Sequence, residues 1–198
     1  MHIQTVVTGE IRENAYVLDN GVEAVVIDPG ADYEKIRSAM GDMPCAAVLL
    51  THAHFDHIGV AARFQRDGAK IYMHAADEKL LHGGGHLADL FGASLELFTP
   101  DVWVKDGDIL SLCGETIHVI ATPGHTDGSV CYAADTVLFS GDTLFYRSVG
   151  RTDFPSGDAS KLKRSLQTLF AVEGDRTVLS GHGAPTRLSD ERKNNPYV

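Results

Sequence analysis

His52, His54, Asp56 and His57 fall within six positions of one another, directly after the apolar run Cys45 to Leu50. Left unpaired in an interior, four such groups would repel or titrate one another, whereas a divalent cation turns the same crowding into coordination. The pattern behind them recurs: an apolar strand runs out, a Gly or Thr marks the turn, and a His or Asp follows. Val119 to Ala121 leads through Thr122-Pro123-Gly124 to His125; Thr136 to Phe139 leads through Ser140-Gly141 to Asp142; Thr177 to Leu179 leads through Ser180-Gly181 to His182. Strands sharing one edge would bring these seven donors together, which suits a pair of cations. Asp142 is the natural bridge, because a carboxylate has two oxygens and a neutral imidazole offers one lone pair.

The elements that must position these groups are legible in outline. Ile3–Val7, Tyr16–Leu18 and Val22–Ile27 read as strands separated by Gly9 and the Asn20-Gly21 turn. Asp28-Pro29-Gly30 stops the third, and Asp32 is placed to cap a helix running through Met40. The all-apolar run Cys45–Leu50 suits a strand buried on both faces, followed by a helix to about Arg66 and a strand over Ala69–His74. From residue 75 to residue 99 the pattern weakens into two short helical stretches about Gly83-Gly84-Gly85. This is an insertion, either a lid over a pocket or, the plainer expectation, a surface excursion. Strands return at 102–104, 109–112, 116–121, 129–133 and 136–140. Asp158 then caps a helix with an apolar stripe of Leu162, Leu166, Leu169 and Phe170, and Thr177–Ser180 forms a last strand. With no linker or repeat, residues 1–198 are expected to form one domain.

A net charge of −10 with histidines neutral disfavours nucleic acid, whose binding rests on cationic groups displacing counterions. No stretch approaches the ~20 apolar residues of a membrane span, and Met1 to Gly9 lacks the form of a secretory signal, so a cytoplasmic protein with no membrane partner is expected. Cys45, Cys113 and Cys131 are widely spaced and odd in number, which argues against a disulfide framework or a thiolate zinc site. Oligomeric state has no signature in the sequence.

Taken together, His52-x-His54-x-Asp56-His57, Pro123-Gly124-His125-Thr126, Gly141-Asp142-Thr143 and Gly181-His182-Gly183 resemble the metallo-β-lactamase-fold hydrolases. Gly141-Asp142-Thr143-Leu144-Phe145, Gly150-Arg151-Thr152-Asp153-Phe154-Pro155 and the closing Asn195-Pro196 look most like the compact glyoxalase II-like thioesterases, the hydroxyacylglutathione hydrolases. That resemblance implies an α/β fold, a four-layer αββα sandwich with the site at the sheet edge. It implies His52, His54 and His125 on one metal and Asp56, His57 and His182 on the other, with Asp142 and a hydroxide between them. Asp56 and Asp142 would then also count as catalytic, and Asp28 would stand behind the ligands, orienting them. The implied cofactors are two divalent ions, zinc first, with iron or manganese as alternatives.

The implied reaction is hydrolysis of a small-molecule thioester such as S-lactoylglutathione. A thiolate leaves without a dedicated general acid, its reference pKa being about 8.5. The stretch Gly150 to Phe154 also resembles persulfide dioxygenases, which would use a single iron on His52, His125 and Asp142. A non-catalytic metal-binding module predicts a missing donor, and all seven are present. A β-lactamase is disfavoured by Asp142 and by the lack of an export signal. Tyr146, Arg147 and Arg151 follow closely on Asp142 and are candidates for binding an anionic substrate, with an Arg151–Asp153 structural pair as the plainer account. His2, His74, His82, His86 and His118 lack a partner motif and read as surface or packing residues.

Overall fold

The computed structural model describes residues 2–197. The first sheet runs in the order of the chain: β1 (His2–Thr8), β2 (Glu13–Asp19), β3 (Ala24–Ile27), β4 (Cys45–Leu49), β5 (Lys70–His74) and β6 (Val102–Val104). β1, β2 and β3 pair antiparallel, and β3 to β6 pair parallel. The second sheet contains β7 (Ile109–Leu112), β8 (Glu115–Ala121), β9 (Val130–Ala134) and β10 (Val137–Gly141). After a short ribbon of β11 (Leu144–Phe145) and β12 (Ser148–Val149), β13 (Thr177–Ser180) and β14 (Thr186–Arg187) complete it in the order β14-β13-β10-β9-β8-β7.

Three apolar clusters separate four layers. One face of the first sheet, through Val17, Val26 and Val48, packs on α1 (Tyr33–Met40), α2 (Phe55–Ile58), α3 (Ala61–Arg66) and α4 (Glu78–His82) by way of Ile36, Ile58, Phe64 and Leu81. Its other face, through Leu18, Ile27, Ala47 and Leu49, meets Ile117, Val119, Tyr132 and Phe139 of the second sheet. The far face of that sheet packs Cys131, Leu138 and Val178 on Leu162, Leu166 and Leu169 of α6 (Ala159–Ala171) and Leu188 of α7 (Leu188–Asn194). α5 (Ala88–Phe91) lies in the excursion between β5 and β6. The period-2 pattern on strands and the period-3.6 pattern on helices thus resolve into an αββα sandwich.

Three local expectations are corrected. Asp32 precedes α1 but sits at φ 50° and its side chain makes no bond to a helix N–H; its carboxylate accepts from Gly9 N at 3.1 Å instead. The expected helix is broken in two at Val60, at φ −119° and ψ 11°, whose N–H donates to the Pro29 carbonyl at 3.1 Å, and Gly59 beside it packs so closely that a Cβ would lie 2.1 Å from the Gly30 carbonyl oxygen. β2 begins three residues earlier than its apolar core: Glu13 and Asn14 are polar yet buried, since Thr8 Oγ1 donates to Glu13, and Asn14 Nδ2 donates to the Ser180 and Gly183 carbonyls. Asp158 does cap α6, accepting from Ser160 N and Lys161 N at 2.8 and 2.9 Å.

Candidate metal centre

β4, β8, β10 and β13 end at one edge, where the chain leaves each strand and turns. His52, His54, Asp56 and His57 follow β4, His125 follows β8, Asp142 follows β10 and His182 follows β13. The two sheets must approach closely here. Gly141, at φ 48°, ends β10 against Thr51, and a Cβ at Gly141 would lie 2.3 Å from Thr51 Oγ1. A Cβ at Gly181 would lie 2.3 Å from Asp142 Oδ1 and 2.5 Å from His57 Cε1. The glycines before Asp142 and His182 are therefore steric requirements of convergence.

All seven expected donors meet, in two groups. His54 Nδ1 lies 3.0 Å from His52 Nε2 and 2.9 Å from His125 Nε2. Asp56 Oδ2 lies 3.1 Å from His182 Nε2 and 3.5 Å from His57 Nε2. Asp142 spans them, with Oδ1 3.4 Å from His57 Nε2 and Oδ2 3.6 Å from His125 Nε2 and 3.7 Å from His182 Nε2.

The outer nitrogens show which atoms face inward as lone pairs. His125 Nδ1 donates to the Arg151 carbonyl at 2.8 Å, and His57 Nδ1 donates to Asp28 Oδ2 at 3.0 Å. His52 Nδ1 lies 3.1 Å from Thr51 Oγ1, which itself donates to Asp28 Oδ2 at 2.6 Å. Asp28 also accepts from Thr51 N at 2.7 Å, so one buried carboxylate braces a donor of each group. With the outer nitrogens committed to these partners, the inner nitrogens of His52, His57 and His125 are the atoms left to face a cation. His57 Nε2 and Asp142 Oδ1 are buried with no hydrogen-bond partner. Buried polar atoms left without a partner and held 3.4 Å apart are what a cation between them would satisfy.

Charge divides the groups the same way. Burial, with the neighbouring imidazoles, holds His52 well below the usual histidine range and pushes His54 down to about 3. Burial also opposes charge on His57 and His182, but the Asp56 and Asp142 carboxylates outweigh it and hold both above the ordinary value. Cations entering the metal-free protein therefore find His52 and His54 already deprotonated and must displace protons from His57 and His182. Loading two equivalents is expected to release more protons at pH 6 than at pH 8, with affinity at the Asp56–His57–His182 group falling as pH falls. Calorimetry in buffers of different ionisation enthalpy measures this; proton release independent of pH would contradict it.

Over the centre lies a cavity of about 390 Å³ walled by Ile11, Phe55, Leu87, Phe91, Phe145 and Phe154. Arg151 also lines it, stacked 3.7 Å over the Phe154 ring and bonded bidentately to Asp153 at 2.7 Å. Tyr146 and Arg147 form the turn between β11 and β12 and do not line the cavity. Arg147 is drawn away by Asp190 at 2.9 Å and Glu191 at 3.5 Å, so the substrate contacts expected at these two positions fall outside it. Asp77 was invisible to sequence reasoning, yet it is fully buried and binds the loops carrying His52, His54 and His125. The aromatic wall was also missed, although Phe55 and Phe145 stand close to donors in the chain.

The profile of the Metallo-beta-lactamase superfamily matches residues 8–182, from the end of β1 to His182 itself. The hydroxyacylglutathione hydrolase GloC of Haemophilus influenzae is 33% identical over 208 aligned positions, covering 100% of this chain and 98% of that protein. Two solved structures superpose at a TM-score of 0.88: BLEG-1 B3 metallo-beta-lactamase, 35% identical with 99% of each chain covered, and TTHA1623 in a di-iron-bound form, 34% identical with 98% of this chain and 100% of that one covered. With the profile spanning every candidate donor and a relative matched end to end, the chain belongs to the metallo-beta-lactamase superfamily.

Proposed function

We propose that this protein is a thioesterase that hydrolyses a hydroxyacylglutathione-type thioester with two divalent cations held by the seven donors. The observation that carries the reading is the placement of Asp142 between two complete donor groups, which a mononuclear site does not require. Cations bound there would lower the pKa of a water from 15.7 towards ~7 and polarise the attacked carbonyl. The chain's own contribution is orientation: Asp28 and the Arg151 carbonyl fix the rings of His57 and His125, and the aromatic wall gives the substrate an apolar surface beside them. Among the described residues lining the cavity, Arg151 is the only ionisable group outside the donor set. No general acid is thus poised to protonate a departing amine, which favours a thiolate leaving group over the amine of a β-lactam.

Arg151 is the cation available to a carboxylate of the thiol portion. Its pair with Asp153 is more than half exposed on both sides and so is weakly held. Mixed imidazole and carboxylate donors accept zinc, iron or manganese. Three free cysteines, two of them buried, suit a reducing cytoplasm, and among the described residues no helix is long and apolar enough to cross a membrane. The decisive experiment is metal analysis of the purified protein with assays on S-lactoylglutathione, glutathione persulfide and a β-lactam. Thiol release from the first, with two metal equivalents, is expected. Oxygen uptake with the persulfide and no thiol release would replace this reading with mononuclear iron chemistry, and turnover of the β-lactam alone would replace it with amide hydrolysis.

A further inference from the structure

The space over the metal centre does not end at Asp56. A second cavity of about 420 Å³ opens beyond Ile11, Phe55 and Phe91, and the two cavities share these three side chains together with Asp56. Its size is within the ~300–1,000 Å³ of small-molecule sites. Phe55 and Phe91 stack with ring centroids 5.1 Å apart and planes 26° apart. Phe91 is 50% exposed and Ile11 43%, so apolar surface is left in water beside a candidate reaction centre. Beyond them the lining is small at Gly92 and Ala93, and a Cβ at Gly92 would meet nothing within 4 Å, which leaves room for a chain to lie along the backbone there.

Charge gives the groove a direction. Glu10, Asp32 and Asp56 are the charged side chains that line it, and no lysine or arginine does. At the opposite end of the first cavity stands Arg151. An anionic thiol portion is repelled from the groove and drawn towards Arg151, which leaves the groove to the acyl portion.

We propose that Ile11, Phe55 and Phe91 form an acyl-chain subsite that selects thioesters with an extended, apolar, uncharged acyl group over those with a short hydroxylated one. This rests on the thioesterase reading above and refines its substrate: S-lactoylglutathione is turned over, and glutathione thioesters with a longer apolar acyl group are preferred to it. The groove is continuous with the candidate centre, apolar at its entrance and acidic further in, so it fits a neutral chain attached to a carbonyl at the metals.

The test is calorimetry on the metal-loaded protein with S-methyl-, S-butyl-, S-hexyl- and S-octylglutathione, whose tails mimic the acyl chain with glutathione held constant. Affinity is expected to rise about two- to fourfold for each methylene that enters the groove. Phe91→Ala and the Ile11→Ala, Phe91→Ala pair should flatten this dependence. Leu90→Ala is the control: it lies on the same short helix, 68% exposed and outside both cavities, and should leave the slope intact. Affinity independent of tail length, a slope that survives the double variant, or no binding of S-octylglutathione would overturn the inference. A parallel kcat/KM series on lactoyl-, butyryl- and octanoylglutathione separates the two readings. A length-dependent affinity without thiol release from any of them leaves the subsite standing and refutes the thioesterase, whereas thiol release with a flat affinity series does the reverse.

Discussion

Asp142→Asn is expected to lower kcat/KM for thiol release by more than ~100-fold, the upper range seen when groups merely supporting a metal ligand are removed, and to cost the protein one of two bound metal equivalents. The carboxylate is placed to touch both donor groups, with one oxygen 3.4 Å from His57 Nε2 and the other 3.6 Å from His125 Nε2. Burial disfavours its charge, but the imidazoles of His57, His125 and His182 outweigh this and hold its pKa well below the carboxylate range, so it is ionised at every pH at which the protein would work. Asparagine keeps the shape and one acceptor oxygen, removes the charge, and turns an NH₂ towards nitrogens or a cation. Far-UV circular dichroism should be unchanged, because Asp142 follows β10 and makes no bond within the sheets. A variant with both metals bound and more than a tenth of the parent activity would sink the bridging role.

Much of this was legible because the fold writes one rule repeatedly. A parallel strand buried on both faces must be apolar throughout, as β4 is, and its C-terminal end is where the chain can first present polar groups. Hence the apolar run, turn and donor pattern points to His52 to His57, Asp142 and His182 without any knowledge of pairing, and it extends to His125 although β8 is antiparallel to both neighbours. The layers were likewise legible, since Leu162, Leu166 and Leu169 describe one helix face that has to be covered. What stayed hidden depends on which loops touch. Nothing local to Asp32 says that Gly9 will claim its carboxylate, and nothing local to Arg147 says that α7 will bring Asp190 and Glu191 beside it. The wall brings together Ile11 and Phe154 from two loops with Phe55 of α2 and Phe91 of α5, so no window of sequence contains it.

Asp77 is the extreme case of a hidden residue, and its replacement by alanine is expected to weaken the fold and the metal site together. It lies in the short turn after β5, at the start of the stretch that reads from sequence as a surface excursion, yet it is fully buried. One oxygen accepts from Ala53 N at 3.0 Å and Thr126 Oγ1 at 2.8 Å, and the other accepts from Gly128 N at 2.7 Å. Ala53 sits between His52 and His54, and Thr126 adjoins His125, so one carboxylate ties together the loops that carry the three-histidine group. Deleting it leaves two buried amides without partners, each worth about 1–3 kcal/mol, for a loss of about 2–6 kcal/mol against a total of roughly 5–15. Urea unfolding measures that loss. The positioning role requires a second effect: a drop of about 10- to 100-fold in metal affinity per folded molecule, as for other groups that orient ligands. Chelator competition at a temperature where the variant is fully folded reads it. Asp77→Asn retains an acceptor for one loop and should fall between the parent and Asp77→Ala in both measurements. Reduced stability with unaltered metal affinity would make Asp77 a structural brace alone, and the rings of His52 and His125 would then be fixed by their own outer hydrogen bonds to Thr51 and the Arg151 carbonyl.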